Sequence, residues 1–116
     1  MLAAIALGVV VGAGSAGAWG QRLDEFARCV TESGAVFYGT YWCPQCTRQR
    51  ELFGRSDHYI RYVECATEGS DEPKRVCKKA GIKSYPTWEF GDGTRSTGRQ
   101  SLERLASKTG CTLPDE

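Results

Sequence analysis

The chain has 116 residues, a formal net charge of +1 and six cysteines. Its length suffices for one domain with a modest core and leaves no room for a second. The balanced charge excludes the basic footprint of a nucleic-acid-binding protein, and so many cysteines in a short chain favour an oxidising compartment.

The N-terminal segment is apolar and has no ionisable side chain up to Gly20. Small residues follow its apolar run, and Ala16-Gly17-Ala18 fits the pattern for cleavage after Ala18. Residues 1–18 are therefore predicted to be a signal peptide or a membrane anchor, since residues 2–19 are just long enough to span a bilayer. They could also end the last membrane helix of a longer protein. Each alternative puts residues 21–116 in an extracytoplasmic space.

Helices and strands are predicted to alternate after Gln21. The spacing of the apolar residues predicts a first helix that ends at Gly34, a strand over residues 35–41, and a helix over residues 44–53. A strand over residues 59–65 and a helix over residues 73–80 come next. The next predicted element is a hairpin of strands 87–90 and 94–97 with its turn at Gly91-Asp92-Gly93. A helix from Ser101 to Ser107 completes the predicted order. The order predicts an α/β fold with one sheet.

Cys43 and Cys46 lie three positions apart where the predicted strand meets the predicted helix. Such a pair can close a disulfide ring and reopen it. Cys43 is the predicted nucleophile, because unpaired N–H groups and the helix dipole favour a thiolate there. Cys46, one turn deeper, would resolve the mixed disulfide. A permanent disulfide and half of a zinc site are the alternatives, but zinc requires a second ligand pair that the sequence does not offer. No metal or other cofactor is predicted.

The motifs around this pair resemble the thioredoxin superfamily. Trp42-Cys43-Pro44-Gln45-Cys46 looks like its active site, and Tyr85-Pro86-Thr87 looks like the cis-proline loop that faces it. The chain is most similar to the thioredoxin-like domain associated with vitamin K epoxide reductase (VKOR) homologues of bacteria and plastids. The further motifs that carry this similarity are Tyr38-Gly39, Glu51-Leu52-Phe53-Gly54, Tyr62-Val63-Glu64-Cys65, Gly81-Ile82-Lys83-Ser84-Tyr85-Pro86-Thr87-Trp88 and Gly98-Arg99-Gln100-Ser101-Leu102.

The resemblance implies a thioredoxin-like three-layer sandwich with a central mixed sheet and flanking helices. It also implies a dithiol enzyme that takes electrons from cysteine-containing substrate proteins during oxidative folding and passes them to a VKOR-like membrane quinone reductase. Periplasm, secretion and an organelle lumen such as the thylakoid are the compartments that fit.

Five residues around the pair are predicted to contact substrate. A cis bond before Pro86 would lay the backbone of Tyr85 beside the disulfide, where an extended peptide could pair with it. An ordinary turn proline before an edge strand is the alternative. The predicted contacts are Trp42, Pro44, Tyr85, Pro86 and Thr87.

Four cysteines remain, and they are expected to be structural. A polar loop long enough to bring Cys65 and Cys77 together separates these two. Cys29 and Cys111 would then join the two ends of the domain. These pairings rest on the inferred fold and on the resemblance, because six cysteines allow 15 connectivities. A second exchange pair formed by Cys65 and Cys77 is the functional alternative.

Phe37 departs from the family pattern. Reducing thioredoxins usually carry a buried acid at the matching position, so its absence argues against an efficient reductant. A glutaredoxin-like or reducing enzyme and a non-catalytic, disulfide-stapled binding module are the alternatives to a thiol-disulfide oxidoreductase that works in oxidative folding.

Overall fold

The computed structural model describes residues 16–114, and their side chains from Leu23 onward. In this part of the chain the elements are α1 Ala16–Glu32, β1 Val36–Gly39, α2 Pro44–Phe53, β2 Tyr62–Glu64, α3 Arg75–Ala80, β3 Thr87–Glu89, β4 Arg95–Thr97 and α4 Leu102–Thr109. A 3₁₀ helix, Gly54–Tyr59, joins α2 to β2. The alternation of helices and strands confirms the predicted α/β class.

The four strands form one mixed sheet in the order β2-β1-β3-β4. Strand β1 pairs in parallel with β2 and antiparallel with β3, and β3 pairs antiparallel with β4. Phe37 therefore lies between Tyr62 and Trp88, its partners on the two neighbouring strands. This register brings the ends of β1 and β2 and the start of β3 to one edge, where α2 begins.

Apolar residues cover both faces of the sheet, because successive strand residues point to opposite sides. Phe37 and Trp88 belong to the larger core, with residues of α1, α2 and α4 that include Phe26, Phe53 and Leu105. Val36 and Tyr38 belong to a smaller core on the opposite face, with Cys65, Cys77 and Ile82. The sheet is thus flanked by helices as the resemblance implies.

Several boundaries differ from those predicted. Strand β1 ends at Gly39 instead of residue 41, because the chain turns into the cysteine pair. Strand β2 starts at Tyr62 instead of residue 59, because the 3₁₀ helix continues to Tyr59. Helix α3 starts at Arg75 and α4 extends to Thr109.

Helix α1 begins at Ala16, within the segment predicted to be a signal peptide or an anchor. Residues 1–15, on which most of that prediction falls, lie outside the described residues. Between residues 16 and 114, no helix is long and apolar enough to cross a membrane.

Candidate active site at the start of helix α2

Cys43 caps helix α2. Its backbone is extended, with φ −82° and ψ 118°, and its Sγ accepts a hydrogen bond from the Cys46 N–H at 3.2 Å. Its carbonyl accepts the N–H groups of Cys46 and Thr47, both at 3.1 Å. Pro44 occupies the first turn of the helix, where a missing N–H costs nothing. The nucleophile predicted from sequence therefore lies where the N–H groups of the first turn converge.

Cys46 lies beneath Cys43 and is almost completely buried. Cys46 is 1% exposed and Cys43 5%, and both are free thiols in this structure. Gly39, at the end of β1, makes room for Cys46, because a Cβ on this glycine would be 2.9 Å from Cys46 Sγ. The pair consists of an outer sulphur at the helix terminus and an inner sulphur packed against the sheet.

The environment of Cys46 favours the protonated thiol. Burial, followed by the hydrogen bond with Cys43, raises the pKa of Cys46 to about 12. The backbone of Thr40 and the charge of Arg50 oppose this increase without reversing it. Phe37, at the position matched to the family's buried acid, stacks on Trp88 with ring centroids 5.1 Å apart and brings no carboxylate to the inner thiol. Cys46 therefore keeps its proton at neutral pH.

Tyr85 brings a backbone carbonyl to the outer thiol. The bond between Tyr85 and Pro86 is cis, and the carbonyl oxygen of Tyr85 lies 3.7 Å from Cys43 Sγ. Pro86 is buried, and its carbonyl accepts the N–H of Gly98 at 2.8 Å. Thr87 is also buried in β3, and its hydroxyl donates to the carbonyl of Ser84 at 2.7 Å. Among these three predicted contact residues, Tyr85 is the one with a hydrogen-bonding atom close to Cys43 Sγ.

Two exposed aromatic side chains form a rim beside the pair. Tyr41 and Trp42 are each 60% exposed, which is unusual for large apolar side chains. Trp42 packs edge to face on Tyr85, with centroids 6.0 Å apart. Pro44 is exposed on the adjoining first turn of α2. The rim offers apolar area next to a sulphur that is itself barely exposed.

Sequence reasoning missed Glu64 as part of the site. Its carboxylate accepts three hydrogen bonds, from the Tyr41 N–H at 3.1 Å, the Tyr62 hydroxyl at 2.8 Å and the Ala66 N–H at 3.0 Å. Burial, followed by the hydrogen bond that the Tyr62 hydroxyl donates to Glu64, raises the pKa of Tyr62. Glu64 thus ties β2 to the loop that carries the cysteine pair. In the sequence, Glu64 is one residue of the alternating pattern that predicts a strand, and that pattern gave no indication of this role.

The four cysteines outside the redox pair form two disulfides. Cys29 is bonded to Cys111 and Cys65 to Cys77, with Cα–Cα distances of 5.9 Å and 5.6 Å. These bonds indicate an oxidising compartment. Among residues 16–114, no group of three or more His, Cys, Asp or Glu side chains is placed to hold a metal ion.

A known redox enzyme has a region of similar sequence. Over 91 residues, 75% of this chain, the sequence is 36% identical to the thiol-disulfide oxidoreductase LTO1 of Arabidopsis thaliana. The match covers 24% of that protein, so the chain spans about a quarter of the curated relative that it matches. No established family model matches the chain. The match and the fold together confirm the resemblance proposed from the motifs.

Proposed function

Because this chain belongs to the thioredoxin superfamily, as a homologue of one part of a thiol-disulfide oxidoreductase, we propose that Cys43 and Cys46 exchange disulfides with protein substrates. The observation that carries this proposal is the placement of Cys43 Sγ at the N-terminus of α2, directly facing the Tyr85 carbonyl. That placement combines a sulphur at a helix N-terminus with a backbone edge along which an extended substrate can lie.

In the proposed reaction the protein starts with a Cys43–Cys46 disulfide. A substrate thiolate attacks Cys43 Sγ, the intramolecular S–S bond breaks, and Cys46 leaves with the electron pair and takes up a proton. A second substrate thiolate then attacks the substrate sulphur of the mixed disulfide and releases Cys43. The substrate loses two electrons and gains a disulfide, and the protein ends as the dithiol. The buried position of Cys46 favours the protonated product of the first step.

Re-oxidation requires a partner, and we assign this role to a VKOR-like membrane quinone reductase. A disulfide of that partner would accept the electron pair, leaving the partner as a dithiol and restoring the Cys43–Cys46 disulfide. The motif resemblance supports this assignment, as does the extension of the homologous enzyme well beyond the matched region. An extracytoplasmic location such as the periplasm or the thylakoid lumen, with residues 1–18 as a signal or an anchor and residues 21–116 as the redox domain, completes the proposal.

A trapping experiment tests the exchange. In Cys46→Ser, the Cys43 thiolate can still attack a disulfide of an oxidised substrate or of the membrane partner, but no Cys46 thiol displaces the bound protein. These proteins should therefore accumulate on Cys43 as mixed disulfides that dithiothreitol releases. Cys43→Ser, which keeps the inner thiol, is the matched control and should trap almost nothing. Recovery of glutathione alone would favour a glutaredoxin-like enzyme, and an empty trap would favour a non-catalytic module.

The reduction potential of the pair tests the direction of electron flow. A donor of disulfides should have a potential of about −180 to −120 mV, as characterised isomerases and oxidants do. A value near −270 mV, typical of a thioredoxin reductant, would contradict the proposed role in oxidative folding. Equilibration with glutathione buffers followed by alkylation of free thiols measures this potential.

A further inference from the structure

A groove of about 320 Å³ runs beside the cysteine pair, between the aromatic rim and the loop closed by the Cys65–Cys77 disulfide. Thr40, Trp42 and Tyr85 line the side next to Cys43, and residues of the loop line the opposite side. The loop residues that line it are Cys65, Ala66, Thr67, Ser70, Asp71, Glu72 and Pro73. The groove is large enough for more than one amino-acid side chain.

Thr40 lines this groove and carries an unpaired, buried hydroxyl. Thr40 is 2% exposed, and its Oγ1 has no partner among the residues that the structure describes. The buried hydroxyls of Ser56 and Thr87, by contrast, donate to Asp24 and to the Ser84 carbonyl. An unpaired buried hydroxyl costs about 1–3 kcal/mol. A ligand in the groove would supply the missing partner.

The groove lining contains two acidic residues and no basic residue. Its charged lining residues are Asp71 and Glu72, and no Lys, Arg or His belongs to the lining. Glu72 forms an ion pair with Lys78 at 2.5 Å, which lowers the pKa of that carboxyl. Asp71 has no ion-pair partner among the side chains described, those of residues 23–114, and is exposed. Its carboxylate is available to a cationic ligand.

The acidic loop is held in place before any ligand arrives. The disulfide closes it over a separation of 12 residues, and the Lys74 N–H donates to the Cys65 carbonyl at 2.8 Å. The Cys65 N–H in turn donates to the carbonyl of Gly39 at 2.8 Å, which joins the loop to β1. Because this loop is already ordered, less conformational entropy is lost when a ligand binds.

We propose that this groove binds an extended segment of the substrate polypeptide and selects a Lys or Arg near the reacting cysteine. Thr40 Oγ1 forms a hydrogen bond with the backbone of that segment, and Asp71 pairs with the basic side chain. The proposal rests on the proposed function, since the bound segment carries the thiol that reacts at Cys43. It names a substrate class that the motifs around the cysteine pair do not specify.

The test uses the oxidised full chain and two reduced dithiol peptides that differ only in a Lys or a Glu two residues from a cysteine. We expect the Lys peptide to be oxidised about two- to fivefold faster at low ionic strength, because an exposed ion pair contributes modestly. The preference should decrease as salt screens the charges. Asp71→Asn should abolish it, whereas Glu68→Gln, in the same loop but outside the lining, should leave it intact.

Thr40→Val tests the hydroxyl separately. It should slow oxidation of both peptides about two- to tenfold, in line with the loss of one hydrogen bond. The variant should be no less stable than the wild type, because the hydroxyl has no partner in the free protein. A loss of stability would show that the hydroxyl has a structural role and would overturn its assignment to substrate.

The remaining outcomes separate the two proposals. Equal rates for the two peptides, with both oxidised, would overturn the acidic groove while leaving the exchange activity standing. Failure to oxidise either peptide or dithiothreitol would overturn both.

Discussion

Cys46 shows how one buried position controls the behaviour of a redox pair. The sheet and Gly39 enclose its thiol, and burial is the largest cause of its raised pKa. The folded protein therefore holds a proton that an unfolded chain loses above the ordinary thiol value of 9.0. The contribution of the Cys46 thiol to the free energy of unfolding is complete below pH 9 and is lost as the pH rises toward 12.

This difference predicts a pH-dependent loss of stability. Cys43→Ser leaves Cys46 as the one free thiol and keeps a hydrogen-bonding group beside it. Between pH 8 and pH 10 its free energy of unfolding should decrease by up to about 1.3 kcal/mol more than that of Cys43→Ser/Cys46→Ala. Urea denaturation at the two pH values measures both. Parallel decreases in the two variants would mean that the Cys46 thiol titrates normally.

Gly39 is predicted to tolerate no side chain. In Gly39→Ala the new Cβ would lie 2.9 Å from Cys46 Sγ and 3.1 Å from ring carbons of Phe37 and Tyr62. Overpacking of this kind should destabilise the protein by about 1–3 kcal/mol. Combining it with Cys46→Ala, which removes the nearest atom, should recover part of the loss in a double-mutant cycle. Strict additivity of the two changes would contradict the contact.

At the scale of elements, a buried amide fixes helix α2 against the sheet. Gln49 is fully buried. Its Oε1 accepts hydrogen bonds from the Trp88 Nε1–H at 3.0 Å and from the Gln100 N–H at 2.7 Å. Its Nε2 donates to the Gln100 carbonyl at 3.0 Å. Cys46, Gln49 and Phe53 form the buried face of α2. Gln49 therefore positions the helix whose first turn holds the redox pair.

Gln49→Ala should lower the free energy of unfolding by at least about 2 kcal/mol, because it leaves two buried donors and one acceptor without partners. Arg48→Ala, at an exposed position on the same helix, is the matched control and should change stability by less than about 0.5 kcal/mol. Thermal or urea unfolding of both variants provides the comparison. Equal small losses would show that water replaces the amide at no cost.

At the scale of the whole molecule, two disulfides constrain the chain over different distances. Cys29–Cys111 joins positions 82 residues apart and connects α1 to the segment after α4, whereas Cys65–Cys77 spans 12 residues. In the chain-entropy account, the longer loop restricts the unfolded state more. The Cys29–Cys111 disulfide should therefore contribute more to stability than the Cys65–Cys77 disulfide.

Replacing each disulfide by two serines tests this order. The entropy relation gives losses of about 4.5 kcal/mol for Cys29–Cys111 and about 2.8 kcal/mol for Cys65–Cys77. Urea unfolding under non-reducing conditions measures both losses. The reverse order would show that native packing around Cys65 and Cys77 outweighs chain entropy.

Features that depend on neighbouring residues could be predicted from the sequence alone. Pro44 and the residues after it specify where α2 begins and ends, Gly91-Asp92-Gly93 specifies the hairpin turn, and Ser101 caps α4 as predicted, accepting the Arg104 N–H at 3.0 Å. The motifs also revealed the relationship to a thiol-disulfide oxidoreductase. These features were predictable because local conformational preferences act within a few residues of the chain.

The surroundings of the cysteine pair depend on packing between elements that are distant in sequence. Glu64 reaches Tyr41 across 23 positions, because the register of β1 with β2 brings these segments together. The approach of Tyr85 to Cys43 across 42 positions was expected from the family resemblance and not from a local pattern. Burial by the same sheet raises the pKa of Cys46, and the Cys65–Cys77 loop places Asp71 in the groove that Thr40 lines. Such contacts depend on packing between distant segments, which no local pattern encodes.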